Sequence, residues 1–510
     1  FIYGTIIQVF MEVFNKNHKN DRGSAGMLRR FFRFPDTVTG MIAMIVQLLA
    51  ESVFILFLSA LDILPGKFMV AVIILLLIAD VAVLLLINRK RRRRSVPAGG
   101  LILTAILLII MNLAGFYLYS TYDTFSKISG HLVQTETFYV IVLKDGSYEK
   151  AEDIAGKTVH VSKAETRTYK EAKGKLVTKE DVVYEEEEDL VTTGHVLIDG
   201  AGQEHDEIIF VSRNNYQMIC EEIDGFRKNT KIIYKVPVEV KSDNNSKKVN
   251  VTEDSFNIYI TGIDVFGNID QVSRSDVNMI MTVNPKTKTI LLTSIPRDTY
   301  IPLHSFGALD KLTHSGIYGV DETVDTVEDW LDIEINYYVR INFSMLIRIV
   351  DAIGGVDVDS PYAFKSAVSD YTYKKGMNHL DGKAALYFAR ERKSFKDEDE
   401  QRIRNQQIVL KAMIEKITGS TALLTGYTKI LDAAEGKMQT DLSDRDISSL
   451  VKMQLDDLGK WKIRTVSVTG EGAYEYTYSM GQRELFVSIP DENSVKKAKE
   501  EINSVMYPVE

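Results

Sequence analysis

The chain has 510 residues and a net charge of −9 at pH 7, enough length for two or three domains beside any membrane part. It has no basic domain of the kind nucleic-acid binding needs, and one cysteine, Cys220, allows neither an intrachain disulfide nor a cysteine metal cluster. The eight histidines are scattered without HExxH or paired spacing, so zinc has no evident site, and the first residue is Phe1 rather than Met, so residues ahead of it are expected.

Residues 1–39 read as a cytoplasmic N-terminal segment and 40–120 as three transmembrane helices. The apolar stretches Gly40 to Leu64, Phe68 to Ile87 and Gly100 to Tyr119 each suffice to cross a hydrocarbon core of ~30 Å as a helix. Glu51 and Asp80 interrupt the first two, and charges at membrane depth are expected to face neighbouring helices. Lys16, Lys19, Arg22, Arg29, Arg30 and Arg33 precede the first span, and the run Arg89 to Arg94 separates the second from the third. Positive loops stay inside, so both basic segments are expected in the cytoplasm and everything after about Ser120 outside the cell. Lying between two spans, the basic run reads as a topology signal and anionic-lipid contact, not a nuclear-localisation patch. No cleavable signal peptide is evident.

Residues 121–245 read as a small extracellular α/β accessory domain. Thr135 to Lys144 reads as a strand, Asp145-Gly146 as a turn, Ala151 to Lys157 as a short helix and Thr158 to Val161 as a strand, a pattern weakly similar to part of a solute-binding fold. The acidic run Glu185 to Asp189 reads as a solvated helix face or loop without chemistry. The polar linker Lys241 to Lys248 marks a domain boundary.

The part from 250 to 510 carries the chemistry. Phe256 to Ile263 is a β-branched and aromatic strand that delivers Asp264 into a loop; Arg274-Ser-Asp276 opens a second apolar run to Val283; Ile290 to Ile295 ends in Pro296-Arg297-Asp298. Charged strand ends are where open α/β sheets place ligands. Carboxylates suit a hard cation such as Mg²⁺, and arginine forks suit phosphates. Each charge alone is ordinary surface; together with Arg390-Glu391-Arg392 and Arg402-x-Arg404 they read as a phosphate-and-metal site. Further on, Glu322 to Ile333 reads as a helix N-capped by Asp321, Tyr337 to Ile341 as a strand, and Phe343 to Ile353 as an amphipathic helix closed by Gly354-Gly355. Ala384 to Arg390, a charged loop to Glu400 and a long helix from Gln401 to Thr418 follow. The tail adds a helix from Ser443 to Leu458, strands at Ile463 to Val468 and Glu484 to Ile489, and a helix from Glu492 to Met506, an α/β layered pattern.

In order, Ile-Thr-Gly-Ile-Asp264, Arg274-Ser-Asp276, Ser294-Ile-Pro-Arg-Asp298, Lys311-Leu-Thr-His314, Gly354-Gly-Val-Asp357, Leu380-Asp-Gly382, Ala389-Arg-Glu-Arg-Lys393 and Arg402-Ile-Arg-Asn-Gln-Gln407 resemble the LytR-CpsA-Psr (LCP) proteins of bacterial cell envelopes. Three spans and an accessory domain resemble the capsule-locus CpsA or Wzg branch. The resemblance implies a central mixed sheet flanked by helices in 250–510, and a Mg²⁺-dependent phosphotransferase, with Mn²⁺ as a substitute. Such an enzyme moves a glycan phosphate from a polyprenyl-pyrophosphate carrier to peptidoglycan, in capsule or wall-polymer attachment. It implies Asp264 and Asp276 as metal ligands, Arg274, Arg297, Arg390, Arg392 and Arg402 as pyrophosphate contacts, and Asp298 and Gln406 as supports, with Arg274, Arg297 and Asp298 catalytic. Other capsule-assembly proteins are implied partners, and the multi-pass cell membrane of a Gram-positive bacterium the location. His314 reads as a structurally bonded histidine rather than a catalytic one. The loop Lys393 to Glu400 departs from the family in being more acidic and lacking glycines, which bears on glycan or acceptor preference. Pyrophosphate chemistry needs positioning and cationic stabilisation and no covalent protein nucleophile, which agrees with these residue types. No Walker-type loop is present, and the expected topology separates the motifs from DNA. The alternative is a sensor that binds polyprenyl phosphate and regulates capsule assembly without turnover.

Overall fold

A computed structural model describes residues 35, 37–61, 64–88, 98–128, 133–162, 168–176, 182–199, 207–241, 246–263, 269–419, 427–457 and 459–508. It divides into two compact units, Phe1–Ser120 and Thr121–Glu510.

In the first unit α1 (Val38–Leu61), α2 (Gly66–Ile87) and α3 (Ala98–Ile128) are long and apolar enough to cross a membrane. The break between α1 and α2 falls at Pro65, which lacks an N–H and N-caps α2. Glu51 and Asp80 point inward. Gln47 Nε2 donates to Glu51 Oε1 at 3.0 Å and to Asp80 Oδ1 at 2.8 Å, while Thr104 Oγ1 donates to Gln47 Oε1 at 3.0 Å, and all four side chains are buried. In lipid these groups have no water to turn to, so the polar cluster holds three helices in one register.

The second unit opens with a five-stranded sheet of β1 (Val133–Leu143), β2 (Thr158–Ser162), β3 (Val183–Glu187), β4 (Ile208–Ser212) and β5 (Thr230–Lys241), in the order β3-β2-β4-β1-β5. The acidic run is therefore in part an edge strand and not a helix or loop. Glu185 pairs with His160 across β2 and β3, and an exposed edge is where charged side chains keep a strand from pairing with another chain.

A six-stranded mixed sheet follows: β6 (Phe256–Ile263), β7 (Val277–Asn284), β8 (Thr289–Ile295), β9 (Tyr337–Asn342), β10 (Met438–Thr440) and β11 (Lys462–Ser467), in the order β10-β9-β6-β7-β8-β11. β6-β7-β8 is an antiparallel meander, and β9 and β11 join its edges in parallel. Its central strands are buried on both faces, which explains their near-continuous apolar sequences. One face, with Tyr259, Ile280 and Leu291, packs on α4 (Val320–Leu331) and, later in the chain, Glu492–Met506. The other, with Ile258, Ile260, Met279, Ile290 and Leu292, packs on Leu410, Ile414, Ile447 and Leu450. The helices α5 (Phe343–Ala352), α6 (Gly382–Arg390) and α7 (Glu398–Gly419) build a second core around Val350, Ala385 and Phe388.

Two helix starts and one strand near the site differ from the sequence reading. α4 begins at Val320 with Gly319 as its N-cap, which moves Asp321 and Glu322 into the first turn. α7 begins at Glu398 rather than Gln401, because Glu398, Asp399 and Glu400 suit the positive end of a helix dipole. The strand at 484–490 has a partner the sequence reading lacks: β12 (Gly470–Tyr476) pairs with β13 (Glu484–Pro490) as a hairpin.

Candidate functional site

Strand ends set this site. Pro296 stops β8 from continuing the ladder, and Arg297 and Asp298 emerge beyond it. Asp276 N donates to Gly262 O at 2.9 Å, Ser275 N to Thr313 O at 3.0 Å, and Thr313 N to Arg297 O at 2.8 Å. These bonds lock Arg274-Ser-Asp276 between the ends of β6 and β8. The side chains then meet: Arg297 Nη1 donates to Asp276 Oδ1 at 2.8 Å, and Lys311 Nζ donates to Asp298 Oδ1 at 3.1 Å. From across the opening come Arg392, just after α6, and Asp399 and Arg402 on the first turns of α7. Arg392 and Arg402 reach Asp399 Oδ1 at 3.3 and 3.2 Å.

Between these groups lies an open cleft of about 590 Å³, whose charged wall is Arg297, Asp298, Lys311, Arg392, Arg402 and the residues 397–400, and whose other wall is Gly470, Gly472, Phe486 and Ser488 of the hairpin. The Nε–H groups of Arg297, Arg392 and Arg402 are buried and make no hydrogen bond. Arg297 Nε is 3.6 Å from Asp298, too far for a hydrogen bond, and Arg392 Nε is 3.3 Å from Asp399 but misaligned. Buried donors of this kind are costly unless a ligand completes them.

Burial pushes the Arg297 guanidinium toward losing its proton, but Asp276 and Asp298 outweigh this and hold it above the ordinary arginine value. Burial raises the Asp298 carboxyl, and Lys311 and Arg297 reverse that, so it stays below the usual carboxylate range. Arg402 is lowered by burial and then by repulsion from Arg297. An anion in the cavity would offset both effects on Arg402.

Other sequence-read residues stand elsewhere. Arg274 makes a bidentate pair with Glu221 of the accessory domain at 2.7 and 2.8 Å, outside the cavity wall. Arg390 lies over the Phe343 ring at 4.3 Å, and Gln406 is half-buried one turn beyond Arg402, neither in the wall. Asp264 falls outside the described residues. His314 is buried with Nδ1 2.6 Å from Asp310 Oδ1, and Asp310 Oδ2 accepts from Ser479 N and Oγ, so Asp310 ties this histidine to the loop that joins the two hairpin strands. Asp399 and the hairpin residues were missed by the sequence reading. The signal for Asp399 was its spacing three residues before Arg402; the hairpin residues gave none. In the accessory sheet, β2–β3 pairing also gathers His160, Glu185 and Glu187, with Nδ1 of His160 2.7 Å from Glu187 and Nε2 3.0 Å from Glu207, a grouping that no spacing in the sequence displays.

The donor set fits a hard divalent cation. The cavity wall carries Arg297, Lys311, Arg392 and Arg402 against Asp298, Asp397, Glu398, Asp399 and Glu400, so its own cations do not exceed its carboxylates. A bound di-anion therefore calls for further positive charge; Asp276, paired with Arg297 through Oδ1 alone, has an oxygen to offer a cation, though it stands behind Arg297 and not in the cavity wall itself.

Comparison with known proteins decides the family. The LytR_cpsA_psr family model matches residues 223–502, more than half of the chain. The chain belongs to the LytR_cpsA_psr family. Among relatives of the LytR_cpsA_psr domain, the chain is 32% identical over 267 residues to the polyisoprenyl-teichoic acid–peptidoglycan teichoic acid transferase TagV of Bacillus subtilis, covering 51% of this chain and 66% of that protein. It is 34% identical over 231 residues to the transferase TagU of Enterococcus faecalis, covering 44% of this chain and 75% of that protein. The crystal structure of B. subtilis TagV aligns with 30% identity and a TM-score of 0.42, over 51% of this chain and 99% of that one.

Proposed function

We propose that this protein transfers a phosphate-linked glycan from a polyprenyl-pyrophosphate carrier to a hydroxyl of peptidoglycan, in attachment of a capsule or other wall polymer. The observation that carries this reading is the convergence of four cations, Arg297, Lys311, Arg392 and Arg402, on one cavity, three of them arginines whose buried Nε–H is unbonded. Relatives named as teichoic acid transferases acting on a polyisoprenyl-linked donor and peptidoglycan support it.

The acceptor oxygen attacks the phosphorus that bears the glycan, and a new P–O bond forms as the P–O bond to the lipid-side phosphate breaks. The electron pair leaves with polyprenyl phosphate, and the hydroxyl proton passes to a base. Negative charge grows on the equatorial and leaving oxygens, and Arg297, Arg392, Arg402 and Lys311 are fixed there before the reaction begins. Asp298 holds Lys311 and, with Asp276, keeps Arg297 charged and oriented. A divalent cation such as Mg²⁺, held by Asp276 with Asp264, would supply further charge neutralisation of the pyrophosphate. By the positive-inside rule, the domain and its lipid substrate share the outer face of the membrane.

The test incubates the purified full chain with lipid-linked pyrophosphoryl glycan, a soluble peptidoglycan oligomer and Mg²⁺, beside Arg297→Ala and Asp276→Ala. Transfer that is lost in both variants and on chelation is the expected result. Transfer that persists in both variants removes the site; lipid binding without transfer turns the reading into a sensor.

A further inference from the structure

The outward face of the hairpin is more aromatic than a solvated surface requires. Residues opposite one another in an antiparallel pair share a face, so Gly472 with Ser488, Tyr474 with Phe486, and Tyr476 with Glu484 form one side of this two-stranded ribbon. The opposite side carries buried Val487 and half-buried Ala473 and Leu485, the last of them packed in the core shared with Met480 and Tyr318, while Glu471 and Ile489 at its far end are exposed. On the outward side Tyr474 is 68%, Tyr476 54% and Phe486 44% exposed. Tyr474 and Phe486 meet edge to face with ring centroids 6.0 Å apart. Three large rings in one exposed row mark an interaction surface more often than an accident of composition.

That row is continuous with the cavity. Gly470, Gly472, Phe486 and Ser488 line it, so a single ribbon face runs from the wall opposite the arginines out to Tyr474 and Tyr476. Two bonds fix the ribbon on the site: Ser488 N donates to Asp298 O at 2.8 Å, and Tyr300 Oη donates to Tyr476 O at 2.6 Å. Gly472 leaves room for this layout, since a Cβ there would stand 2.8 Å from the Phe486 ring and turn it aside.

We infer that this ribbon face is the acceptor-glycan subsite, in which Tyr474 and Phe486 stack on pyranose rings of a neutral polysaccharide. The inference rests on the transferase reading for its choice of acceptor. A pyranose presents a face of C–H groups, which the negative face of an aromatic ring attracts, and a rim of hydroxyls for which Glu484 and Ser488 stand on the same side. A row of rings along a strand also suits a repeating polymer too large for the cavity, which an open face accommodates. The choice between the two glycans follows from charge. The donor is held through its pyrophosphate by Arg297, Arg392, Arg402 and Lys311, whereas a neutral acceptor gains little from those cations and needs a surface of its own beside them.

The experiment measures binding of a lipid-free β-1,4-linked N-acetylhexosamine oligomer to the full chain by saturation-transfer NMR and calorimetry, then its KM in the transfer reaction. The variants are Tyr474→Ala/Phe486→Ala and Tyr474→Trp/Phe486→Trp, checked by thermal unfolding. Two lost stacking contacts should raise the oligomer Kd and KM about tenfold or more in the alanine pair, with much less change in kcat and none in the donor KM. The tryptophan pair should keep the affinity. Wild-type oligomer binding by the alanine pair overturns the inference, and so does a defect that moves to the donor KM, which would make this the donor's surface. Arg297→Ala separates the two levels: it should abolish transfer yet bind the oligomer normally. A wild-type chain that binds the oligomer through these rings but transfers nothing refutes the transferase reading and leaves a saccharide site.

Discussion

Gly316 offers a sharp test of how the site is held, because it touches no substrate. A Cβ at this position would lie 2.6 Å from Ser273 O, 2.7 Å from Ser275 N and 3.1 Å from Arg274 C. All three are backbone atoms and none can rotate away. An ordinary carbon contact is about 3.5 Å, so Gly316→Ala must push the 273–276 segment by roughly 0.9 Å. That displacement is applied one to three residues before Asp276, whose bond to Arg297 is 2.8 Å long and would be stretched past a useful hydrogen bond. Overpacking of this kind costs about 1–3 kcal/mol in stability. A misplacement of about 1 Å at a site costs on the order of 10²-fold in rate. Expected, then, is a folded protein with a slightly lower Tm and a kcat down about a hundredfold. The assay is transfer of lipid-linked glycan to soluble peptidoglycan, with thermal unfolding alongside. Gly419→Ala, whose added Cβ meets nothing within 4 Å, serves as the control. A Gly316→Ala protein of normal activity would refute the claim that the fixed position of Asp276 and Arg297 matters.

Arg297→Lys retains the charge but loses the planar fork that meets Asp276 through Nη1; a fall in kcat of about 10²-fold, milder than for alanine, is expected in the same assay. Burial pushes Asp441 up to about 7, against an unfolded value near 4. Between those values the folded chain keeps a proton the unfolded chain has lost, so this group's contribution to stability falls as pH rises from about 4 to 7 and is flat above. Asp441→Asn, which can still accept from Tyr338 N, should flatten that slope, which is on the order of 4 kcal/mol in all and about 2–3 kcal/mol between pH 5 and 7.5, the two points at which thermal unfolding reads it. In the membrane unit, Asp80→Leu removes the bond from Gln47 and should weaken association of the helices by about 1 kcal/mol, whereas Asp80→Asn keeps an acceptor; equal stability of the two in detergent unfolding would contradict the interhelical role.

What the sequence determined by itself is what local chemistry determines. Length and apolarity define α1 to α3, because only a helix satisfies its own backbone in lipid. Alternation and β-branching define β6 to β8, and charges just past apolar runs mark Asp276, Arg297 and Asp298 as a cluster, since chain continuity alone carries those residues to strand ends. Arg392 and Arg402 were legible as cations, and the cavity wall holds both. Tertiary structure decided which charges share a cavity. Arg274 and Arg390 have the same chemistry as Arg297, but one is claimed by Glu221, some fifty residues earlier, and the other by the Phe343 ring. Asp399 joined the site only because α7 starts early enough to turn it toward Arg402. The second wall of the cavity, with Gly470, Gly472, Phe486 and Ser488, was illegible for a related reason: a short two-stranded ribbon has no strong period, and its place was set by bonds to Asp298 and Tyr300 nearly two hundred residues away. Sequence patterns report what each segment can bury or bind; which partners it meets depends on long-range pairing that no local pattern encodes.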